Sequence, residues 1–93
     1  MKATQLLIAL STVLALSACS KQETATQCTT ADAAQWRDQS QFQADLLSQG
    51  YVISEFKITE GNCYEIYGQN LAGEKVEIYF NPVDGSVVKE EKE

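Results

Sequence analysis

The sequence predicts an α+β domain, with an N-terminal helical segment packed on a three- to four-stranded antiparallel β-meander that is stapled by a disulfide. Three observations predict this fold. Apolar residues recur at three- and four-residue steps before Gly50, they alternate with polar residues after it, and short turn sequences separate the alternating runs. A chain of 93 residues with this pattern has room for one small domain, and such domains often need covalent support.

Residues 1–18 have the pattern of a secretory signal, so we exclude them from the fold. Lys2 supplies a positive start, and the run from Leu6 to Leu16 is apolar apart from two hydroxyl residues. This run is too short to span a bilayer, which takes about 20 apolar residues. The segment is therefore interpreted as a leader that is removed.

The leader ends in Leu16-Ser17-Ala18-Cys19, which resembles the lipobox of bacterial lipoproteins. In such proteins the cysteine becomes the first mature residue and its thiol carries the lipid, so the resemblance implies that Cys19 attaches the chain to a membrane. Two or more acyl chains anchor a protein stably, at about 0.8 kcal/mol per buried CH₂. Residues 19–27 would then form a flexible polar tether and residues 28–93 the domain. The alternative is ordinary secretion with cleavage after Ser17.

Lipidation of Cys19 would leave two cysteines, Cys28 and Cys63. An even number of cysteines in an oxidising compartment favours a structural disulfide. This bridge would close a loop of roughly 36 residues and stabilise the domain by about 4 kcal/mol. Two free buried thiols or half of a metal site are the alternatives, but the sequence has no histidine, and two thiols alone make a poor zinc site. We expect no metal and no cofactor.

The helical segment is predicted to begin at Thr29 and to end at Gly50. Thr29 and Asp32 fit a capping pattern, and glycine suits the left-handed position that follows a helix. The apolar stripe consists of Ala33, Trp36, Phe42, Leu46 and Leu47. The polar run 37–41 is either a solvated turn of one helix or a break between two, in which case Ser40 would cap the second.

Alternation predicts strands over residues 51–58, where only Ser54 breaks it, 63–67 and 75–80, with a short fourth strand at 86–88. It is clearest in residues 75–80. Turn sequences separate them at 60–62, 70–73 and 81–85. The sheet face predicted to contact the helix consists of Val52, Phe56, Ile58, Tyr64, Ile66, Val76, Ile78 and Phe80.

The order of these motifs resembles that of the PepSY family. The matching pieces are Cys28, Trp36, Phe42, Leu46, Gly50-Tyr51-Val52, Gly61-Asn62-Cys63-Tyr64-Glu65, Gly73-x-Lys75-Val76-Glu77 and Asn81-Pro82-x-Asp84-Gly85. The resemblance is to small single-domain PepSY-like lipoproteins exported by Gram-negative bacteria, and it covers about residues 28–89. It implies a helix packed on an antiparallel sheet. It also implies a non-catalytic binding or regulatory module whose partner is a peptidase or another envelope protein.

The alternation predicts that several side chains lie on the sheet face opposite the helix. The candidate partner-binding face consists of Tyr51, Ile53, Tyr67 and Tyr79. Tyrosines on a rigid sheet combine a large contact area with a low entropy cost. The alternative is cross-strand aromatic packing that stabilises the sheet. Glu55, Glu65 and Glu77 have the same parity and are expected to face solvent.

Composition argues against several classes of function. The net charge of −6 argues against nucleic-acid binding and against direct adhesion to anionic lipids. No spare cysteine nucleophile and no glycine-rich phosphate loop is present, so no enzyme is predicted. Asn81 and Asp84 could offer oxygens to a cation, but hydrogen bonding to the turn backbone is the simpler interpretation.

The residue after the lipid-carrying cysteine bears on the destination of the protein. Ser20 stands where an Asp would retain a lipoprotein in the inner membrane of enteric-type bacteria, so the outer membrane is favoured, with the domain facing the periplasm.

The alternative function is a structural or stress-related envelope lipoprotein without a specific regulatory partner.

Overall fold

The computed structural model describes residues 25–93. The predicted leader (1–18), Cys19 and most of the predicted tether (19–27) lie outside the described residues. The elements are a short 3₁₀ helix (Ala33–Gln35), one α-helix, α1 (Gln39–Gln49), and four strands, β1 (Val52–Ile58), β2 (Tyr64–Gln69), β3 (Lys75–Phe80) and β4 (Val87–Lys92). The strands form one antiparallel sheet in the order β1-β2-β3-β4. The predicted helix-on-meander fold is confirmed.

Helix α1 begins later than the capping pattern predicted. Asp38 is the N-cap, and its Oδ2 accepts a hydrogen bond of 2.9 Å from the backbone N–H of Gln41. Thr29 instead bonds to the backbone two residues on, and Ser40 lies inside the helix. The alternative of a break in the helical segment is therefore confirmed. Gly50 ends α1 as predicted, with a left-handed φ of 110°.

The core lies between α1 and one face of the sheet. Its buried residues are Phe42, Leu46, Tyr64, Ile66, Val76, Ile78 and Phe80. The ring of Phe42 is 5.0 Å from that of Tyr64 and 5.1 Å from that of Phe80, between centroids. Leu47 was predicted to join them but is 55% exposed, because a helix of three turns directs only the i and i+4 positions of this stripe at the sheet.

A bulge in β1 reverses the predicted parity of its first residues. The register shifts between Ile53 and Glu55, and one inserted residue turns the preceding side chains to the other face. Ile53 therefore packs with Phe56 against the core. Val52, predicted to be in the core, is 45% exposed. Ile58, also predicted there, is 43% exposed at the end of the edge strand.

The predicted disulfide between Cys28 and Cys63 is present. It joins the N-terminal segment to the turn between β1 and β2, where the N–H of Cys28 also donates to the carbonyl of Gly61 at 2.9 Å. A side chain on Gly61 would meet the carbonyl oxygen of Thr26 at 1.8 Å, so glycine is needed for this close approach. The bridge thereby holds residues 25–28 along the turn. No helix within residues 25–93 is long and apolar enough to cross a membrane.

Candidate functional site

The sheet face that points away from α1, here called the outer face, carries a compact group of carboxyl and tyrosine side chains. In the register of β2 and β3, Glu65 lies opposite Tyr79 and Tyr67 lies opposite Glu77. We call these four residues the carboxyl–tyrosine cluster. The four residues occupy the corners of a square on the sheet, with the two carboxyls at one pair of diagonal corners and the two tyrosine rings at the other. Lys57 on β1 is the neighbour of Glu65.

The structure separates the four residues of the predicted binding face. Tyr67 and Tyr79 lie on the outer face. Tyr51 packs edge-on against Phe80 in the core, with ring centroids 6.3 Å apart, and the β1 bulge turns Ile53 to the same side. The prediction of one shared face is therefore wrong for Tyr51 and Ile53. A binding role for the other two stays a prediction.

Glu65 does not face solvent, as the alternation of β2 had predicted. It is only 2% exposed, and it lies beside a surface hollow of about 370 Å³ that it lines together with Tyr67, Tyr79 and the segment at Thr26. We call this space the outer hollow. The disulfide and the hydrogen bond from Cys28 to Gly61 hold the N-terminal segment there. The alternation of a single strand gives no indication of this contact.

The carboxyl of Glu65 is poorly compensated. Its Oε1 lies 4.0 Å from Nζ of Lys57, which is itself half exposed. Its buried Oε2 accepts no hydrogen bond from any described residue. A buried carboxylate that lacks donors is costly unless it takes up a proton.

The pKa values of the two carboxyls accordingly move apart. Burial raises the pKa of Glu65 to about 7, and the neighbouring Glu77 adds to this effect while Lys57 opposes it. The hydrogen bond from Glu65 lowers the pKa of Glu77, and the Tyr79 hydroxyl donates to its Oε2 at 2.7 Å. Below neutral pH the pair therefore holds one proton between two carboxyls, and this proton is lost as the pH rises through about 7.

The tyrosines complete the site with donors and ring faces. Burial raises the pKa of Tyr79, and hydrogen bonding to Glu77 raises that of Tyr67, so both hydroxyls stay protonated. Nζ of Lys57 lies 5.3 Å from the centre of the Tyr67 ring, and Nζ of Lys89 lies 5.7 Å from that of Tyr79. The rings thus already contact cations at cation–π distance.

The turn between β3 and β4 is built by its own side chains. Asn81 Oδ1 accepts from the N–H of Val83 at 2.8 Å, and Asp84 Oδ1 accepts from the N–H of Ser86 at 2.9 Å. The two residues are bonded to the turn backbone, as the simpler interpretation predicted. Within residues 25–93 no group of three or more metal-binding side chains comes together.

The family follows from the sequence over most of the chain. Residues 7–91 match the family model described as "Peptidase propeptide and YPEB domain". The chain belongs to the PepSY family. PepSY domains are typically non-catalytic, propeptide-like modules, and a carboxyl–tyrosine cluster without a nucleophile suits that character. The disulfide of this PepSY domain suggests an extracytoplasmic location. No curated protein and no solved structure matches the chain.

Proposed function

We propose that this PepSY protein is a lipid-anchored binding module of the Gram-negative cell envelope, tethered to the outer membrane through Cys19 and facing the periplasm. It acts by contact with another protein, a peptidase in the first instance, and performs no chemistry of its own. The observation that carries the proposal is the outer face, where two tyrosines and a carboxyl pair surround a hollow on a disulfide-closed domain.

The position of the tether supports a partner close to the membrane. Ala25 and Thr26, the first described residues, line the outer hollow. From Cys19 to Ala25 the chain can extend at most about 20 Å. A lipid on Cys19 would therefore keep the outer hollow within a short distance of the membrane surface, where membrane-associated envelope proteins are found.

The test is crosslinking and capture from envelope fractions, using the full-length protein and a variant with Tyr67→Ala and Tyr79→Ala together. We expect the wild type to capture a specific peptidase or sensor protein and the double variant to lose it, with circular dichroism and thermal stability little changed. Leu71→Ala is the matched control, since Leu71 is 61% exposed in the turn between β2 and β3, away from the cluster.

Two results would contradict the proposal. Equal capture by the double variant would remove the outer face from binding, and a large loss of stability would assign the tyrosines to sheet packing. Capture of abundant envelope proteins alone would favour the structural or stress-related role. The intact mass of the native protein tests the anchor, because lipidation adds the mass of the acyl groups to a chain that begins at Cys19. Reduction should then add two hydrogens at the Cys28–Cys63 bridge.

A further inference from the structure

We propose that the outer hollow binds the guanidinium group of an arginine from the partner protein, beside the carboxyls of Glu65 and Glu77 and the rings of Tyr67 and Tyr79. The inference rests on the proposed function, because it specifies the chemistry of the contact with the partner. It is carried by the unpartnered buried oxygen of Glu65, by the arrangement of the rings and by the charges around them.

The first step is the unmet hydrogen-bonding capacity of the carboxyl pair. The side chain of Glu65 is 97% buried, since only 3% of it is exposed, and its Oε2 accepts no hydrogen bond from residues 25–93. Glu77 lies on the adjacent strand at the rim of the same hollow. A carboxyl pair of this kind is satisfied either by a proton held between the oxygens or by a cation with several N–H donors.

The second step is the shape of the site. Tyr67 and Tyr79 lie diagonally across the two carboxyls, so a ligand between them meets ring faces as well as oxygens. A guanidinium group is planar, stacks on aromatic rings and offers five N–H donors in a fixed arrangement. An ammonium group is a compact, strongly hydrated charge that suits such a site less well. A hollow of about 370 Å³ has ample room for the end of an arginine side chain.

The third step is the set of charges that face the pair from each neighbouring strand. On β1, Lys57 is the only cation near Glu65, at 4.0 Å, and it is half exposed, so it can move aside. On β4, Lys89 is engaged with Glu91 at 3.3 Å. Glu60, in the turn after β1, also lines the hollow. An incoming arginine therefore competes with the half-exposed Lys57 at Glu65 and at the Tyr67 ring, and with Lys89 at the Tyr79 ring. The other charges that line the hollow are acidic.

The fourth step is the proton. A cation beside Glu65 and Glu77 favours the form in which both are ionised, so one proton leaves for solvent as the guanidinium enters. Since the pKa of Glu65 is about 7, binding should strengthen as the pH rises through neutrality. Arginine itself stays charged throughout this range.

The probe is the peptide acetyl-Gly-Arg-Gly-amide, and the control peptide carries citrulline, the uncharged isostere, in place of arginine. Binding to the full domain is followed by two-dimensional NMR at about pH 8 and at about pH 5.5. We expect saturable shifts at Glu65, Tyr67 and Tyr79 with the arginine peptide only. The affinity should be roughly thirtyfold weaker at the lower pH and roughly tenfold weaker in Glu77→Gln.

Glu55→Gln is the matched control variant, because Glu55 is exposed on the outer face of β1 but does not line the hollow. It should bind as the wild type does. The inference is overturned if the citrulline peptide binds as tightly as the arginine peptide, or if the arginine peptide causes no saturable shifts. It is also overturned if the affinity is the same at both pH values, or if Glu55→Gln weakens binding as much as Glu77→Gln. The comparison of the two peptides on the wild type holds even if a variant fails to fold.

The capture experiment separates this inference from the proposed function. If Glu77→Gln captures the partner from envelope fractions as efficiently as the wild type, the arginine site is wrong and the binding role stands. If the wild type binds the arginine peptide but captures no specific protein, the proposed function is wrong and the cation site stands.

Discussion

Replacing Glu65 by glutamine should change how the stability of the domain depends on pH. The pKa of Glu65 is raised in the folded state to about 7 from an ordinary value of 4.5. Between these values the folded protein holds a proton that the unfolded chain has lost, so the free energy of unfolding falls as the pH rises through this window. The pKa of Glu77 is lowered, so its contribution to the free energy of unfolding is lost only in more acidic solution. That contribution is constant between about pH 5 and about pH 8.

The size of the effect follows from the shift. Each pKa unit corresponds to about 1.4 kcal/mol, so the full shift would change the free energy of unfolding by about 3 kcal/mol. Water in the adjoining hollow screens part of this effect, and we expect a change of about 2 kcal/mol. For a domain of this size that is a change of roughly 8–16 °C in Tm. Glutamine has the shape of the protonated carboxyl and can still donate to Glu77, so Glu65→Gln should lack this pH dependence.

The assay is thermal unfolding from about pH 5 to about pH 8, with the disulfide intact and the ionic strength constant. Wild type and Glu65→Gln should have similar Tm values at the acidic end, and the variant should be the more stable at the alkaline end. Glu55→Gln, which removes an exposed charge from the same face, should follow the wild-type curve. Parallel curves for the wild type and Glu65→Gln would refute the assignment of the shared proton to the Glu65–Glu77 pair.

Two further predictions concern covalent and backbone geometry. Replacing Cys28 and Cys63 by alanine should lower the free energy of unfolding by about 4 kcal/mol in denaturant titrations, and an unchanged midpoint would show that the bridge contributes nothing. Gly68→Ala should cost more than about 2 kcal/mol, because its Cβ would lie 1.8 Å from the carbonyl oxygen of Val52. Gly73→Ala has open space and only an unfavourable φ, so it should cost less, and the opposite order would contradict the structure.

The order of elements could be predicted from the sequence because local chemistry specifies it. Gly50 ends the helix through its left-handed backbone, and the alternation of Lys75–Phe80 directs Val76, Ile78 and Phe80 to the core as predicted. Cys28 and Cys63 were paired from their number and compartment alone. Each of these inferences uses information held within a few residues or in a simple count.

The failures have non-local causes. A bulge in β1 depends on how the strand pairs with β2, so strict alternation placed Tyr51 and Ile53 on the wrong side. Glu65 has the sequence context of a solvent-facing residue, yet it is buried beside a hollow that is also lined by a segment nearly 40 residues earlier, next to the disulfide. The pairing of the cysteines was foreseen, but its consequence for Glu65 needs the three-dimensional arrangement.

The disulfide also determines how a pulling force would travel through the molecule. Tension applied to the N-terminus reaches Cys28 and passes across the covalent bridge to Cys63, which immediately precedes β2. Residues 29–62, with α1 and β1, lie inside the loop that the bridge closes and are not part of this covalent path. A pull on the N-terminus therefore reaches the strand that bears Glu65 and Tyr67 directly, and α1 can unfold without lengthening that path.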